Sequence, residues 1–381
     1  MASTRILAVN VGSSSLRIDL WDIPGTTPVT VLRADRIGAP RAAVSDGGRE
    51  EETPGFPDHA AALDALLKRL GRVEPDCAGH RMVHGGPRHR EPAWVTDEVL
   101  ADLDELAELV PLHVPPALRV IRHLGSARPG LRQAVVFDTG FHATLPARAA
   151  EYAVPAAWRS AGIRRYGFHG LACADAVAQL GAELRERAVL LHLGAGCSAT
   201  ALRDGRSVDT TMGLTPLEGL MMATRCGDLD PAVPLYLQRR EGWSAEQLEE
   251  ALNHECGLLG LSGTSGDMKT LLDRGREPAV RLAIEVFCYR AAKAVGAFAA
   301  ALGGCEQVLF TGGIGEHAAP IRAEIIGHLT FLGAQLDERA NAVNAPVISR
   351  PQSRVAIHVV RIDEGRQVAL ATARLHRARP A

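Results

Sequence analysis

Apolar positions along the chain fall first into short continuous runs. Arg5–Val9 and Leu16–Trp21 flank the small-residue segment N-V-G-S-S-S, and Ala188–Leu193 leads through G-A-G-C-S-A into Thr200–Leu202. Both stretches read as strand, tight turn, strand. The shared plan points to an internal duplication, with a phosphate-sized turn in each half and a ligand held between the halves. Two unrelated hairpins would give the same pattern. Longer segments carry helical spacing. Asp58–Leu70 and Asp97–Val110 are amphipathic, the latter with Leu100, Leu103, Leu106 and Leu109 on one face. Thr96 and Ser244 suit N-caps, and Gln247 completes a capping box with Ser244. Pro278 opens a helix running to Leu302. Arg41–Pro57 is rich in Gly, Pro and acids, and reads as a surface loop. Strands alternating with helices predict an α/β architecture.

One stretch obeys neither period. Asp209–Pro231, D-T-T-M-G-L-T-P-L-E-G-L-M-M-A-T-R-C-G-D-L-D-P, is broken by Gly213, Pro216, Gly219 and Gly227. It is too apolar for a disordered linker. Long irregular segments inside compact domains are commonly functional. Its lone cation before two acids, Arg225, suggests an anion held there.

Composition narrows the classes. A chain of 381 residues is long for one core, so two domains are expected. A net charge of −2 argues against a nucleic-acid partner. Seven Cys without a C-x-x-C pair suggest neither a zinc knuckle nor a disulfide framework, and favour a reducing compartment. No apolar run reaches membrane-spanning length, and the N-terminus reads as a strand rather than a signal peptide, so a cytoplasmic location is expected.

Several short motifs carry chemistry. Asn10–Ser15 puts a glycine and three hydroxyls on a strand turn, suited to phosphate oxygens or simply to turning. H-R-M-V-H-G-G, His80 to Gly86, makes a cationic turn in which Arg81 suits an anion better than His80 and His84 suit a metal. Asp138 ends a buried strand, where an unpaired carboxylate is costly, so it needs a cation, a metal or a hydrogen-bond network, or it caps the next turn. His169 lies in the cationic, aromatic R-R-Y-G-F-H-G. The strand Gln307–Thr311 runs into G-G-I-G-E-H, a formal match to the dinucleotide fingerprint. That match lies near the end of the chain, so backbone contact with a phosphate or adenosine is the better reading than NAD.

Taken together and in order, N-V-G-S-S-S-L-R, H-R-M-V-H-G-G, P-L-H-V-P-P, F-D-T-G-F-H, R-R-Y-G-F-H-G, H-L-G-A-G, the long central motif, S-G-T-S-G-D and T-G-G-I-G-E closely resemble the acetate kinase family. The resemblance runs from about Ile6 to Ala373. It implies the fold of the actin, sugar-kinase and Hsp70 superfamily: two duplicated actin-like (ribonuclease H-like) α/β domains with an interdomain cleft. It implies a first domain over residues 1–147, completed by the tail 366–381, and a second over 148–365. The implied activity is reversible phosphoryl transfer from ATP to acetate, with propionate as a further acceptor, in a homodimer using Mg²⁺ or Mn²⁺.

Site residues follow from the matched positions. The resemblance assigns Arg81 to the carboxylate or incoming phosphoryl group, and Arg225 and His169 to the charge on the phosphoryl group in transit. Asp138 falls on the acetate side and helps organise the metal, and His113 matches another active-site His. Asn10 and Glu364 match metal-site residues. Val83, Leu112, Phe168 and Pro216 match the pocket for the acyl methyl group. Arg17, His192, Leu193, Gly194, Ala195, Gly196, Asp267, Met268, Lys269, Gly313, Ile314, Gly315, Glu316 and His317 match nucleotide-contacting positions.

The chain also departs from the pattern. Ala195 stands where relatives usually carry Asn, Val11 where they carry Ala, Arg17 where they carry Lys, Lys269 where they carry Arg, and Val114 and His317 where they carry Asn. Near the C-terminus T-N-E-E becomes I-D-E-G, Ile362 to Gly365, with Glu364 in place. Leu171, Ala172 and Cys173 replace T-S-H. These changes keep three other readings in view: a different acyl group, pyrophosphate as donor, and a non-catalytic nucleotide-binding regulator. Retention of Arg81, Asp138, His169, Arg225 and Glu364 argues against the regulator.

Overall fold

The computed structural model describes residues 3–378, which divide into two compact units. One runs through Phe141 and resumes at Asp363; the other is His142–Ile362. The first unit holds eight strands: β1 Thr4–Val11, β2 Ser15–Ile23, β3 Thr30–Asp35, β4 Arg41–Asp46, β5 Arg49–Pro54, β6 Cys77–Met82, β7 Ala93–Trp94 and β8 Arg132–Phe137, in the order β5-β4-β3-β2-β1-β6-β8-β7. The second holds β9 Arg187–Leu193, β10 Cys197–Arg203, β11 Arg206–Thr210, β12 Gln307–Thr311 and β13 Ala356–Val359, in the order β11-β10-β9-β12-β13. Both sheets contain one five-strand plan, three antiparallel strands followed by two parallel ones. The duplication expected from the two strand–turn–strand segments is therefore a repeat of sheet topology.

Strand alternation sorts the first unit's side chains onto two faces. Leu7, Val9 and Val11 of β1 and Ile18 and Leu20 of β2 join a core with Leu63 and Leu66 of the helix His59–Leu70 and Ile121 and Leu124 of the helix Val114–Ala127. The intervening positions, among them Asn10, Arg17, Asp19 and Arg81, take the other face. There the C-terminal helix Glu364–Arg377 packs against β1, β2 and β6. In the second unit β9, β10 and β12 are buried almost throughout, as central strands covered on both sides require.

Local signals read from sequence are present. Thr96 caps Asp97–Glu105, and Ser244 and Gln247 form the reciprocal capping box; Asp58, expected as the first residue of its helix, is instead the N-cap of His59–Leu70. The helix Pro278–Leu302 has the expected bounds. Two further expectations are corrected. Arg41–Pro57 is mostly the hairpin β4–β5 rather than a loop. Gly47 and Gly48 have φ of 55° and 94°, the left-handed values a two-residue hairpin turn needs. The sequence of β5, R-E-E-E-T-P, hides the strand because it is an edge, where charge prevents further pairing. The helix expected over Asp97–Val110 ends at Glu105. From there i→i−3 bonds, such as Ala107 N to Asp104 O, tighten the chain while Leu106 and Leu109 still reach the core.

One cation is structural. Arg322 is fully buried and donates to Gly315 O, Asn341 Oδ1, Asn341 O and Asn344 Oδ1 at 2.6–2.9 Å. Burial lowers its guanidinium to about 10. It ties the G-G-I-G-E-H segment to the region after the helix Ala319–Gly327. Replacing Arg322 by Met strands those acceptors and should cost about 2–4 kcal/mol in urea denaturation. A loss below about 0.5 kcal/mol would contradict this role.

Candidate active site

The first unit gathers its charge at the ends of three adjacent strands. In parallel pairs β1–β6 and β6–β8, Val9 lies beside His80 and Arg81 beside Val136. Asn10, Arg81 and Asp138 therefore follow one another on the face that carries the helix Glu364–Arg377. Ligand sites of open α/β sheets form at such strand ends. Arg81 Nη2 lies 2.6 Å from Asp138 Oδ2, and Arg81 Nη1 lies 3.0 Å from Glu364 Oε2. Arg81 Nη1 also donates to Asn10 Oδ1 at 3.2 Å, and Asn10 Nδ2 to Glu364 Oε2 at 3.2 Å. Burial opposes the Arg81 charge, but Asp138 and Glu364 outweigh it and raise the guanidinium above its ordinary value. Asp138 is 1% exposed at its side chain, and the Arg81 guanidinium offsets part of the cost of burying its charge.

Asn10 and Glu364 carry an amide oxygen and a carboxylate, and both Asn10 Oδ1 and Glu364 Oε2 face Arg81 Nη1, so a metal would share these oxygens with the guanidinium. That hard-oxygen set suits Mg²⁺, which keeps waters and substrate phosphates as its other ligands. Among the described residues no group of three His, Cys, Asp or Glu forms an all-protein cage. His80 and His84 are core residues: His80 Nε2 lies 2.7 Å from Gln133 Oε1, and His84 Nδ1 accepts from Gly86 N. Burial lowers His80 to about 4, so it stays neutral near pH 7. His113 is the N-cap residue of the helix Val114–Ala127, and Val83 packs against the core. Leu112 is half-buried just before that helix. Arg17 stands in this unit, with Nε 2.8 Å from Asp19 Oδ1 and Nη2 3.6 Å from Asp363 Oδ1.

The second unit gathers His169, His192, Arg225 and the turn Gly194–Gly196. His169 has φ 57° and ψ 26°, left-handed values that cost a non-glycine residue, at the start of the helix Gly170–Leu180. Its Nδ1 lies 3.0 Å from Ser198 Oγ, and its ring centroid lies 4.4 Å from that of His192. His192 Nδ1 lies 3.1 Å from Thr311 Oγ1. Gly196 closes the group: a Cβ there would lie 2.8 Å from Arg225 Nη2 and 3.3 Å from His169 Nε2. Ala195 O accepts from Ala223 N at 3.0 Å, which binds the turn to the loop carrying Arg225.

Arg225 differs from Arg81. It donates to Pro216 O at 2.7 Å, and among the described residues no carboxylate pairs with it. Burial lowers its guanidinium below the ordinary value, with the Cys197 thiol opposing. The irregular stretch around it is fixed all the same. Arg165 donates to Thr211 O and Glu218 Oε1, and Tyr152 bonds Glu218 and accepts from Leu214 N. Arg290 donates to Cys226 O and Asp228 O, and Gly219 and Asp228 exchange bonds.

The other nucleotide-matched positions are dispersed. Leu193 is buried at the end of β9. Asp267 spends its carboxylate on Thr270, capping the short helix Met268–Asp273, with Met268 buried and Lys269 exposed. Gly313, Ile314, Gly315, Glu316 and His317 form the short helix after β12, and Glu316 Oε1 accepts from Gly312 N. Phe168 is buried, and its carbonyl lies 2.9 Å from His142 Nε2. Sequence reading missed Ser198, whose signal is its place opposite His192 across β9 and β10. It also missed the Arg165–Glu218–Tyr152 brace, whose bonds to Glu218 span 53 and 66 residues.

Comparison with known proteins gives one consistent answer. The model of the acetokinase family matches residues 5–370. Acetate kinase of Micrococcus luteus is 43% identical over 98% of this chain and 99% of its own length. The crystal structure of Porphyromonas gingivalis acetate kinase aligns with a TM-score of 0.88 at 34% identity, covering 98% of this chain and 100% of that one. A propionate kinase from Francisella tularensis gives 0.90 at 33%, covering 97% and 98%. These likenesses, with the repeated strand order, bear out the expected α/β fold of two actin-like halves.

The contrast between the two arginines predicts different stability costs. Arg81→Met removes the guanidinium that faces the buried Asp138 carboxylate at 2.6 Å and should destabilise by about 3–5 kcal/mol in urea. Arg225→Met removes a desolvated charge and should cost less than about 1 kcal/mol, or stabilise. Equal costs would contradict the assignment of counter-charges.

Proposed function

This chain belongs to the acetokinase family, and we propose that it transfers the γ-phosphoryl group of ATP reversibly to acetate, giving acetyl phosphate and ADP. One observation carries the residue assignment: Arg225 is desolvated, held by Pro216 O and unmatched by any described carboxylate, beside a small-residue turn and His169. Acetate is ionised at neutral pH and needs no strong base. The difficulty is to bring one anion against another, so fixed cations must do the work.

Arg81 meets the acceptor carboxylate or the incoming phosphoryl group. Asp138 aims the Arg81 guanidinium, a role supported by the pair at 2.6 Å. Arg225 and His169 stabilise charge on the phosphoryl group in transit, with Ser198 holding the imidazole and Pro216 O holding Arg225. His113 is assigned to the same centre. Val83, Leu112, Phe168 and Pro216 are assigned to recognition of the acyl methyl group, accepting propionate and rejecting longer chains by about 1–3 kcal/mol per methylene. His192–Gly196, Asp267–Lys269, Gly313–His317 and Arg17 serve the nucleotide. Asn10 and Glu364 would hold Mg²⁺ or Mn²⁺, which would supply neutralisation of phosphate charge when bound.

The protein works as a cytoplasmic homodimer in this reading. Thiol cysteines fit a reducing compartment. Leu229, Val233, Leu235 and Tyr236, exposed on and before the helix Ala232–Glu241, supply an apolar surface for a second copy.

A matrix of ATP or pyrophosphate against acetate, propionate and butyrate, with acyl phosphate trapped as the hydroxamate, tests the assignment. Turnover should be highest with ATP and acetate and fall at least about tenfold for butyrate. It should be abolished by a chelator and restored by Mg²⁺. No acyl phosphate from folded protein with any acceptor would overturn the reading. Light scattering should give twice the chain mass; a monomer at micromolar concentration would overturn the dimer.

A further inference from the structure

The helix Glu364–Arg377 begins with Glu364 and then Gly365, a residue disfavoured inside helices. The reason lies beneath it. An ideal Cβ on Gly365 would overlap Asp19 Oδ2 and lie 3.2 Å from Asp363 Oδ1. Asp19 has no room to yield: it is 2% exposed, and its Oδ1 is held 2.8 Å from Arg17 Nε. Arg17 reaches onward, with Nη2 3.6 Å from Asp363 Oδ1. Asp363 is the N-cap residue of the helix and accepts from Arg366 N at 3.3 Å. Arg17 thus links the buried carboxylate under position 365 to the cap at position 363. Glu364 stands between those two positions, its carboxylate 3.0 Å from Arg81 Nη1 and 3.2 Å from Asn10 Nδ2.

We propose that Asp19 is a positioning residue for Glu364. It occupies the volume that a side chain at position 365 would take. Through Arg17 it fixes the helix's first turn, so that the Glu364 carboxylate stays aimed at Arg81 and Asn10. Asp19 touches no reacting atom and acts only through Arg17 and the helix start. The inference rests on the reading of Glu364 as part of the phosphoryl-transfer site.

A double-mutant cycle on the full chain tests it, with Asp19→Ala, Gly365→Ala and the pair, read by urea midpoint and by kcat and KM for acetate. Gly365→Ala alone should lower both the midpoint and kcat, the latter at least about tenfold, with KM for acetate changed less than about threefold. In the Asp19→Ala background the same change should raise the midpoint, because the overlap is gone and Ala favours the helix. It should also leave kcat within about threefold of the Asp19→Ala parent. Asp19→Asn, which keeps the shape and the contact to Arg17, should stay within about threefold of wild type in kcat. Effects of Gly365→Ala that are alike in both backgrounds would overturn the proposal. So would an Asp19→Asn loss as large as that of Asp19→Ala. If the wild type makes no acyl phosphate, the functional reading fails by itself. The midpoint cycle then decides the packing claim: opposite signs support it, equal signs overturn it.

Discussion

Every charged group removed from water must be answered by another charge or by hydrogen bonds, and this constraint organises the molecule. Three guanidinium groups drawn wholly or partly out of water answer it in three ways. Arg322 is wrapped by carbonyl and amide oxygens, and serves as an internal clamp. Arg81 is answered by Asp138 and Glu364, which hold it in one pose while Asn10 fixes its remaining direction. Arg225 meets a carbonyl oxygen from Pro216, and its charge is balanced by no described carboxylate. In the proposed function this cation, carried on a braced loop, awaits an anion that arrives from outside. Transfer of a phosphoryl group between two anions needs a charge of that kind, already desolvated and already oriented.

Much of this was legible in the sequence, where local chemistry decides the outcome. The capping box at Ser244, the cap at Thr96 and the helix from Pro278 depend on residues within a turn of one another. The β5 strand was hidden because its edge position demands charge, which masks the strand alternation. The helix from Asp97 reads too long because the tightened turns after Glu105 keep burying leucines at nearly the same spacing. In the site, the lone cation of the irregular stretch and the costly carboxylate at Asp138 announced themselves. Their partners did not. Asp138 meets Arg81 across 57 residues, and Asn10 meets Glu364 across 354. Ser198, Glu218 and Asp19 are ordinary residues in sequence, and they gain meaning only from what the fold places beside them.

The departures from family pattern have different physical weight. Ala195 lies in the turn whose carbonyl binds the Arg225 loop, so the backbone there keeps its task whatever the side chain. Lys269 is exposed beside a capping Asp267, where one cation replaces another at the cost of planar geometry. Gly365 is not a neutral loss, because the space above it belongs to Asp19.

The central claim is that Arg225 is held ready for the phosphoryl group. It is tested most directly by turnover and urea midpoint measured together on Arg225→Ala. The account predicts a fall in kcat of roughly 10²–10³ with a midpoint close to wild type. Turnover within about threefold of wild type, in a protein of unchanged stability, would contradict it.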